Sequence, residues 1–394
     1  MGEPSFEAQL DQLLNQDVGD VMRRERVAFD ELTAPLTSSL VLFGAGNLGR
    51  KTLAGLRRVG IEPLAFTDNN PRLWNTSVNG LQVLAPREAA ERFGQKAAFV
   101  VTIWKGEGTD RMGERMRQLR DLGCCCVVPF GPLFWKYPDV FVPHYAFDLP
   151  HKVYEQAAEV RRAFSLWADE ASRREFLAQI RWRTLLDFDG LPDPVRQEIY
   201  FPIDLFRLVP DEVFVDCGAF DGDTMRRFLH RQDGRFGTIV AFEPDPANFQ
   251  KLRQYVSTLP EAVRGRITIH QKAVGARNEK VRFDATGTES SAVGSGDLAV
   301  DCAALDDILD GCVPSYIKMD TEGSEIAALA GARKTIGRHA PALALCAYHL
   351  QDHLWKIPLF VHALSERYRF FLRPHLLEVW DLVCYAVPVD RIAT

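Results

Sequence analysis

Two stretches of this sequence alternate short apolar runs with helical patterns, and each stretch opens with an apolar run that leads into a glycine-rich turn. The first opening is SLVLFGAGNLGR, from Ser39 to Arg50, and the second is EVFVDCGAFDGDT, from Glu212 to Thr224. Alternating strands and helices build parallel sheets, because a parallel neighbour is reached only through a crossover of helix length. With 394 residues the chain also exceeds what one hydrophobic core usually organises. We therefore predict two α/β domains.

The predicted domain boundaries follow changes of pattern along the chain. We expect a helical lead at 1–35, a Rossmann-like domain at 36–135, a helical connector at 136–205 and a larger Rossmann-like domain at 206–394. In the last of these, five strand-and-loop units precede two extended stretches, 368–375 and 381–388. The break between the two stretches is too short for a crossover, so they must run antiparallel. The expected fold class is α/β, with a seven-stranded C-terminal sheet and a smaller N-terminal sheet.

The first glycine turn has the GxGxxG pattern, formed by Gly44, Gly46 and Gly49. The helix that it opens is neutral to basic, and a helix N-terminus adds partial positive charge, so the turn suits an anion such as a pyrophosphate. Asp68 ends the next strand, where a ribose-binding carboxylate would lie. The sequence thus leaves two interpretations open: a nucleotide site, or a structural domain whose glycines only serve the tight turn.

The second glycine turn carries the opposite charge, because it holds Asp216, Asp221 and Asp223 within eight residues. A pyrophosphate there would meet like charge, whereas a ligand with a sulfonium and an ammonium group would be favoured. S-adenosylmethionine has both groups. We expect Gly218 to let the backbone approach that ligand and Asp216 to reach its amino group. Glu243 ends the second strand, where its two oxygens can accept both ribose hydroxyls.

Several motifs occur together and in order between Tyr200 and Pro388. They are FVDCGAFDGDT, VAFEPDPANFQKL, AVG, LDDIL, YIKMDTEGSE and ALAGA, and together they resemble the FkbM family of methyltransferases. The resemblance implies an S-adenosylmethionine-dependent O-methyltransferase, acting on a hydroxyl of a sugar or of a sugar-containing metabolite. The expected cofactor contacts are Asp216, Gly218, Ala219, Gly222, Asp223, Thr224, Glu243, Pro244 and Ala273.

Further candidates follow the fourth and fifth strands of the C-terminal domain, since ligands bind beyond the carboxyl ends of the strands. His349 is the first candidate for the catalytic base, because an unperturbed imidazole titrates near neutral pH; the alternative is a histidine that only bonds a loop. Asp320 is the other candidate base, or a Mg²⁺ ligand together with Glu322. Two carboxylates in one turn do not complete a ligand set, so we expect no metal. Glu322 and Tyr348 are expected to face the substrate.

Other residues near these motifs have less specific expected roles. Lys318 is expected to pair with a carboxylate, and Glu325 to stabilise the first turn of a helix. Tyr200 and Phe201 either line the cleft or pack in the core, with packing favoured. The loop around Ser290 and Ser291 either closes over the substrate or is a plain surface loop.

Composition narrows the class of protein. The formal net charge is −6 and no Lys/Arg run occurs, which argues against a nucleic-acid partner. The first residues lack the features of a signal peptide, and no apolar run reaches the roughly 18 residues of a membrane span, so we expect no membrane partner and a cytoplasmic location. The expected partner is a small-molecule or glycan acceptor, with a homo-oligomer possible. Cys124, Cys125 and Cys126 are expected in a buried strand rather than on a metal.

Two other functions stay open at this level. One is a dinucleotide-dependent oxidoreductase or nucleotide-sugar-binding protein that acts through the N-terminal domain. The other is a binding protein with a methyltransferase fold and no turnover.

Overall fold

The computed structural model describes residues 4–106, 108–288, 291–294 and 296–393. The chain divides into two compact units. Unit 1 comprises Met1–Ala157, Leu177–Asp193 and Leu376–Trp380, and unit 2 comprises Ala158–Phe176, Pro194–His375 and Asp381–Thr394. The predicted connector, 136–205, is therefore divided between the units. Its residue Trp182 is part of the core of unit 1, whereas the Ser172 hydroxyl in unit 2 accepts a hydrogen bond from the Leu372 amide at 2.9 Å.

Unit 1 is an α/β unit whose central strands are apolar throughout. Its strands are β1 (Leu40–Phe43), β2 (Ala65–Thr67), β3 (Ser77–Val78), β4 (Leu81–Leu84), β5 (Ala98–Val101) and β6 (Cys126–Pro129). Its helices are α1 (Phe6–Leu14), α2 (Val18–Thr33), α3 (Asn47–Arg58), α4 (Pro86–Phe93), α5 (Met112–Asp121), α6 (Phe130–Lys136), α7 (Pro138–Phe141) and α8 (His151–Glu155). Two helices, α9 (Ala157–Leu166) and α10 (Glu170–Leu185), run across the boundaries between units.

The sheet of unit 1 has the strand order β3-β4-β2-β1-β5-β6. The pairs from β4 to β6 are parallel, as the sequence predicts, and every residue of β1 and β5 is buried. The antiparallel β3–β4 hairpin was not predicted, because its strands are short and partly exposed. The cysteine prediction is only partly right: Cys126 lies in β6, whereas Cys124 and Cys125 precede it.

Glu378 ties the short segment Leu376–Trp380 into unit 1. One of its carboxylate oxygens accepts a hydrogen bond from the Met112 amide at 2.7 Å and lies 3.8 Å from the Arg115 guanidinium. Its carbonyl accepts a bond from the Gln179 amide at 3.3 Å. Burial raises the pKa of Glu378 to about 7. This segment was not predicted to belong to the N-terminal unit, because it lies between two C-terminal strands.

Unit 2 contains a seven-stranded sheet. Its strands are β7 (Val213–Cys217), β8 (Thr238–Phe242), β9 (Ile267–His270), β14 (Tyr316–Met319), β15 (Ala342–Cys346), β16 (Tyr368–Pro374) and β17 (Leu382–Pro388), in the order β16-β17-β15-β14-β7-β8-β9. The strands β9, β8, β7, β14 and β15 are adjacent in this order, and each pair of neighbours among them is parallel. Strand β17 pairs antiparallel with both β15 and β16. The predicted fold class, with its terminal antiparallel pair, is confirmed.

A second, four-stranded sheet lies within the same unit. It is formed by β10 (Ala273–Val274), β11 (Glu279–Asp284), β12 (Ala292–Val293) and β13 (Leu298–Ala303), in the order β10-β13-β11-β12. The sequence predicts a strand at EKVRFDA, residues 279–285, but not the second sheet that this strand joins. Most residues of β11 are exposed or half-buried, so the small core of this sheet leaves little apolar alternation in the sequence.

The helices of unit 2 follow its strands. They are α11 (Asp223–Gln232), α12 (Pro246–Thr258), α13 (Glu261–Arg264), α14 (Leu305–Ile308), α15 (Glu325–Ala330), α16 (Arg333–His339) and α17 (His353–Leu364). Asp245 caps α12 by accepting bonds from two amides of its first turn, and proline at the first helical position fits the same start. No helix in the described part of the chain has both the length and the apolarity to cross a bilayer.

Candidate active site

The glycine turn after β7 is held in a conformation that needs glycine. Gly218 has φ +85°, and a Cβ at this position would lie 1.9 Å from the Asp320 carbonyl oxygen. The backbone at Gly218 thus closely approaches the loop after β14, and its predicted close approach to a ligand stays a prediction. Gly222, at φ +89°, caps α11, and a Cβ there would meet the ring of Tyr255 at 2.8 Å.

Asp216 is fully buried at the end of β7 and pairs with a buried lysine. The register of β7 and β14 places Asp216 beside Lys318, whose Nζ lies 3.2 Å from Asp216 Oδ1. The same Nζ donates a hydrogen bond to the Gly218 carbonyl at 2.6 Å. Burial raises the pKa of Asp216 to about 6, against the opposing effect of Lys318. Asp216 is thus buried beside a cation from the neighbouring strand, and its predicted contact with a ligand amino group stays a prediction.

The predicted charge of this turn is largely compensated. Arg226 pairs with Asp221, and Arg227 lies 3.8 Å from Asp223. The partners of these three carboxylates could not be recognised from the sequence, because Lys318 comes from another strand and the two arginines lie on the outer part of α11. The turn is therefore less electronegative than its composition indicates.

Glu243, at the end of β8, faces this turn. Its Oε2 accepts a bond from the Phe220 amide and its Oε1 from the Asp245 amide, both at 2.8 Å. Each carboxylate oxygen has a second acceptor direction, so both can still accept a ligand hydroxyl. Burial raises the pKa of Glu243 to about 7, although the two backbone donors oppose the shift. Pro244, the next residue, is half-buried.

Asp245 connects α12 with the loop that precedes β12. Its Oδ2 accepts bonds from the Gly287 amide at 3.0 Å and the Ser291 hydroxyl at 2.7 Å. Asn248 adds a bond from its side-chain amide to the Thr288 carbonyl at 2.9 Å. Ser290, predicted to lie in a closing loop, is outside the described residues. Sequence reasoning missed Asp245, although its place in the motif EPDP, just before a helix, is a capping signal.

The other predicted cofactor residues differ in their surroundings. The amides of Gly218 and Ala219 both donate to the Phe242 carbonyl, at 3.0 and 2.9 Å. Asp223 and Thr224 begin α11, where Asp223 is half-exposed and Thr224 is buried. Ala273 lies on β10 and packs in the core of the four-stranded sheet, and its predicted cofactor contact stays a prediction.

Asp320, Glu322 and His349 meet beyond the ends of β14 and β15. The Nε2 atom of His349 lies 3.4 Å from Asp320 Oδ1 and 3.4 Å from Glu322 Oε1. The other oxygen of Asp320 accepts a bond from the Tyr200 hydroxyl at 2.8 Å. Tyr200 and Phe201 are both buried, but Tyr200 thus also contacts the site. The prediction that this strand edge gathers these three side chains agrees with their positions.

The far side of His349 is bound to a buried carboxylate. Its Nδ1 lies 2.8 Å from Glu325 Oε1, and Nδ1 of His353 lies 3.1 Å from Glu325 Oε2. Burial alone would lower the pKa of His349, but Glu325 and Glu322 raise it well above its usual value. The raised pKa favours the protonated imidazole, which has to lose its proton before His349 can act as a base; the base assignment stays a prediction. Glu325 does more than stabilise the start of a helix, because its two oxygens lie beside both His349 and His353. The signal missed in the sequence was the spacing of these two histidines.

Tyr348 is buried beside His349, with ring centroids 4.2 Å apart. Burial raises the pKa of Tyr348 well above its usual value, so its phenol stays neutral. The predicted substrate contact by Tyr348 stays a prediction.

In unit 1, the first glycine turn mainly serves packing. A Cβ at Gly49 would lie 1.8 Å from the Gly44 carbonyl oxygen, whereas one at Gly46 would meet nothing within 4 Å. Asp68 closes the turn, since its two oxygens accept bonds from the Ala45 and Asn70 amides, each at 2.8 Å. The nucleotide site stays a prediction.

Comparison with known proteins places the second glycine turn and the strand-end carboxylates within one family domain. Residues 216–372 match the family model of the Methyltransferase FkbM domain. The crystal structure of Methyltransferase FkbM from Methylobacillus flagellatus KT has a TM-score of 0.77 to this chain at 24% identity, covering 97% of this chain and 98% of that one. This likeness shows a shared fold.

A more distant similarity involves precorrin-6y C5,15-methyltransferase from Geobacter metallireducens GS-15. Its TM-score is 0.31 at 15% identity, over 51% of this chain and 96% of that one. No curated protein matches the chain significantly. The chain thus contains a region, residues 216–372, that matches the Methyltransferase FkbM domain, within a fold shared with a methyltransferase of that name.

Proposed function

We propose that the protein transfers the methyl group of S-adenosylmethionine to a hydroxyl oxygen of a sugar or sugar-containing small molecule. The observation that carries the proposal is the position of Glu243. It is a buried carboxylate at the end of β8, bonded to the turn that follows β7. Strand-end carboxylates of Rossmann-like sheets bind ribose hydroxyls in this position.

The cofactor would enter between the ends of β7 and β8. Both oxygens of Glu243 retain acceptor capacity for the two ribose hydroxyls, while the Phe220 and Asp245 amides fix the carboxylate plane. Half-exposed Asp223 is the carboxylate of this turn that is open to the cofactor ammonium. Asp216 supports the turn from below through Lys318 rather than touching the cofactor.

Methyl transfer requires little covalent chemistry from the protein. The acceptor oxygen forms a bond to the methyl carbon as the carbon–sulfur bond breaks, the sulfonium becomes a thioether, and the hydroxyl proton leaves. Orientation of the two reactants can supply about 7–11 kcal/mol of the barrier. The acceptor hydroxyl would lie near Asp320 and Glu322, whose carboxylates are partly exposed beyond β14.

Calorimetry on the whole chain tests the cofactor assignment. We expect S-adenosylmethionine and S-adenosylhomocysteine to bind, and NAD to leave the Glu243 site empty. Glu243→Ala should abolish cofactor binding, and Glu243→Gln should weaken it more than 10-fold, as expected for losing about 1.4 kcal/mol or more of charge-assisted hydrogen bonding. Glu366→Gln, at an exposed position, is the matched control. Unchanged affinity in both Glu243 variants would exclude the ribose assignment.

The acceptor is identified by transfer of labelled methyl groups. Purified protein and labelled S-adenosylmethionine are incubated with fractionated glycan and metabolite extracts, and S-adenosylhomocysteine is measured in parallel. A labelled sugar-containing product supports the proposal. Cofactor binding without labelling or S-adenosylhomocysteine formation in any fraction would favour a binding protein without turnover.

A further inference from the structure

Tyr200, which precedes β7 in the chain, has a strained backbone. Its φ is +68°, in the left-handed region that residues other than glycine rarely adopt, because their Cβ crowds the backbone there. Strain of this kind persists only where the surrounding structure holds the residue firmly, and it is concentrated at functional sites. The side chain of Tyr200 is also buried. The reason for the strained conformation therefore lies in the contacts that Tyr200 makes inside unit 2.

Two tyrosines of the seven-stranded sheet hold the backbone of Tyr200. Its amide donates a hydrogen bond to the Tyr385 hydroxyl at 3.0 Å, and its carbonyl oxygen accepts one from the Tyr316 hydroxyl. Tyr316 lies on β14 and Tyr385 lies on β17, and both are fully buried. Both polar backbone groups of the strained residue are thus bound to side chains of the sheet, which fixes the direction of its own side chain.

The hydroxyl of Tyr200 contacts the candidate active site. It donates a hydrogen bond to Asp320 Oδ2 at 2.8 Å, and it lies 3.5 Å from Cys346 Sγ. Burial and the charge of Asp320 raise the pKa of Tyr200 well above its usual value, so the phenol keeps its proton and remains a donor. A phenylalanine would fill the same space in the core. Packing therefore accounts for the ring of Tyr200 but not for its hydroxyl.

Asp320 connects this hydroxyl with the glycine turn where the cofactor is proposed to bind. The Asp320 amide donates a hydrogen bond to the Cys217 carbonyl at the end of β7, at 3.0 Å. Oδ1 of Asp320 is buried, 3.4 Å from His349 Nε2, whereas the side chain as a whole is 24% exposed. The accessible side of the carboxylate is therefore that of Oδ2, which keeps a second acceptor direction beside the bond from Tyr200.

We propose that Tyr200 is a positioning residue for methyl transfer, whose hydroxyl holds Oδ2 of Asp320 where it accepts the proton of the acceptor hydroxyl. This role rests on the proposed function. The acceptor oxygen bonds to the methyl carbon, the carbon–sulfur bond breaks, and the hydroxyl proton passes to Oδ2 of Asp320. Without the Tyr200 hydroxyl the carboxylate can rotate, and a misplacement of about 1 Å is enough to lose much of the rate gained from orientation.

Two cofactor analogues test the position of Asp320 without any acceptor. S-adenosylhomocysteine lacks the methyl group, whereas in sinefungin a carbon that carries an amino group replaces the sulfur and its methyl. The ratio of their affinities, measured by calorimetry on the full chain, reports a carboxylate beside the methyl position. We expect sinefungin to bind more tightly to the wild type. Asp320→Asn should lower the ratio at least about 10-fold, as expected for a lost charge-assisted hydrogen bond, and Tyr200→Phe about 3–10-fold.

Tyr368→Phe is the matched control. The Tyr368 hydroxyl is also buried and donates to a backbone carbonyl, that of Pro341, at 2.9 Å. This variant removes a comparable hydrogen bond from the same unit and should keep the wild-type ratio. Circular dichroism monitors folding. Tyr385→Phe, which removes the acceptor of the Tyr200 amide, should lower the ratio too, and it decides if Tyr200→Phe does not fold.

Each result has a defined meaning, because S-adenosylhomocysteine carries no group that Asp320 is expected to bind. Its affinity should therefore stay the same in Tyr200→Phe while the ratio falls. A wild-type ratio in Tyr200→Phe, or an equal fall in Tyr368→Phe, would overturn the positioning role and leave the cofactor assignment intact. If the wild type binds neither analogue, the proposed function is refuted and the role of Tyr200 with it.

Discussion

Replacing Lys318 by methionine removes the buried cation of the glycine turn with little change in side-chain length. Lys318 is 2% exposed, and its Nζ lies 3.2 Å from Asp216 Oδ1 and 4.0 Å from Asp320 Oδ2. Burial alone would lower the pKa of Lys318, but Asp216 and Asp320 raise it well above its usual value, so the wild type carries a charged pair. Lys318→Met leaves Asp216 buried and without its cation. Breaking a buried pair in this way costs about 3–5 kcal/mol.

The penalty should depend on pH in a defined direction. The folded-state pKa of Asp216 is about 6, above the unfolded value of 3.8, and loss of Lys318 raises it further. The native state then binds a proton that the unfolded state does not, so stability increases as pH falls through the folded pKa. Between about pH 7.5 and 5.5 the variant gains up to about 3 kcal/mol, at about 1.36 kcal/mol per pH unit. The wild type gains only about 1 kcal/mol over the same range.

Urea unfolding of the full chain at these two pH values measures both effects. We expect Lys318→Met to unfold at much lower urea near pH 7.5, and to recover up to about 2 kcal/mol relative to the wild type near pH 5.5. The double variant Asp216→Asn with Lys318→Met should be more stable than the sum of the single effects, because it leaves no uncompensated charge. A single variant as stable as the wild type at both pH values would refute the buried pair.

Three further perturbations test other parts of unit 2 by the same unfolding assay. Gly218→Ala should cost about 2–5 kcal/mol of unfolding free energy, because the added Cβ would overlap the Asp320 carbonyl in a left-handed backbone. The control Gly234→Ala, at φ +73° with no atom within 4 Å of the added Cβ, should cost about 1 kcal/mol. Equal losses in the two variants would contradict the overlap. Asp245→Ala should cost about 1–2 kcal/mol through the lost cap and increase proteolysis near residue 287, and unchanged cleavage would exclude the loop anchor. His349→Gln should cost about 3 kcal/mol of unfolding free energy near pH 6 and less at alkaline pH. The reason is that stability from a raised histidine pKa is fully present below the pKa of the unfolded state and is lost as pH rises through the pKa of the folded state. A pH-independent loss would count against the ion pair of His349 with its carboxylates.

The sequence predicted those features that depend on local pattern. The seven-stranded sheet, the antiparallel β16–β17 pair and the position of Glu243 follow from apolar runs, crossover lengths and a strand-end carboxylate. These signals lie within a few residues of one another, or depend on connection lengths that can be read directly. The same reasoning predicted that Asp320 and His349 lie at one edge of the sheet.

The electrostatic state of the site could not be predicted in this way, because it depends on distances through space. The pairing of Asp216 with Lys318 could not be predicted, because the register that brings the two residues together is fixed only by strand pairing. His349 was assigned an ordinary pKa because the carboxylate that raises it, Glu325, starts another helix. The four-stranded sheet was missed because its strands are short and mostly exposed, which weakens their hydrophobic pattern.

The position of Glu378 has a consequence for synthesis of the chain on the ribosome. Proteins emerge from their N-terminus, and early domains usually fold before later ones are made. Here the Met112 amide in the N-terminal unit meets its acceptor only after residue 378 has left the exit tunnel. Synthesis of residue 378 therefore precedes final consolidation of unit 1, and truncation before this segment leaves that unit without one of its buried anchors.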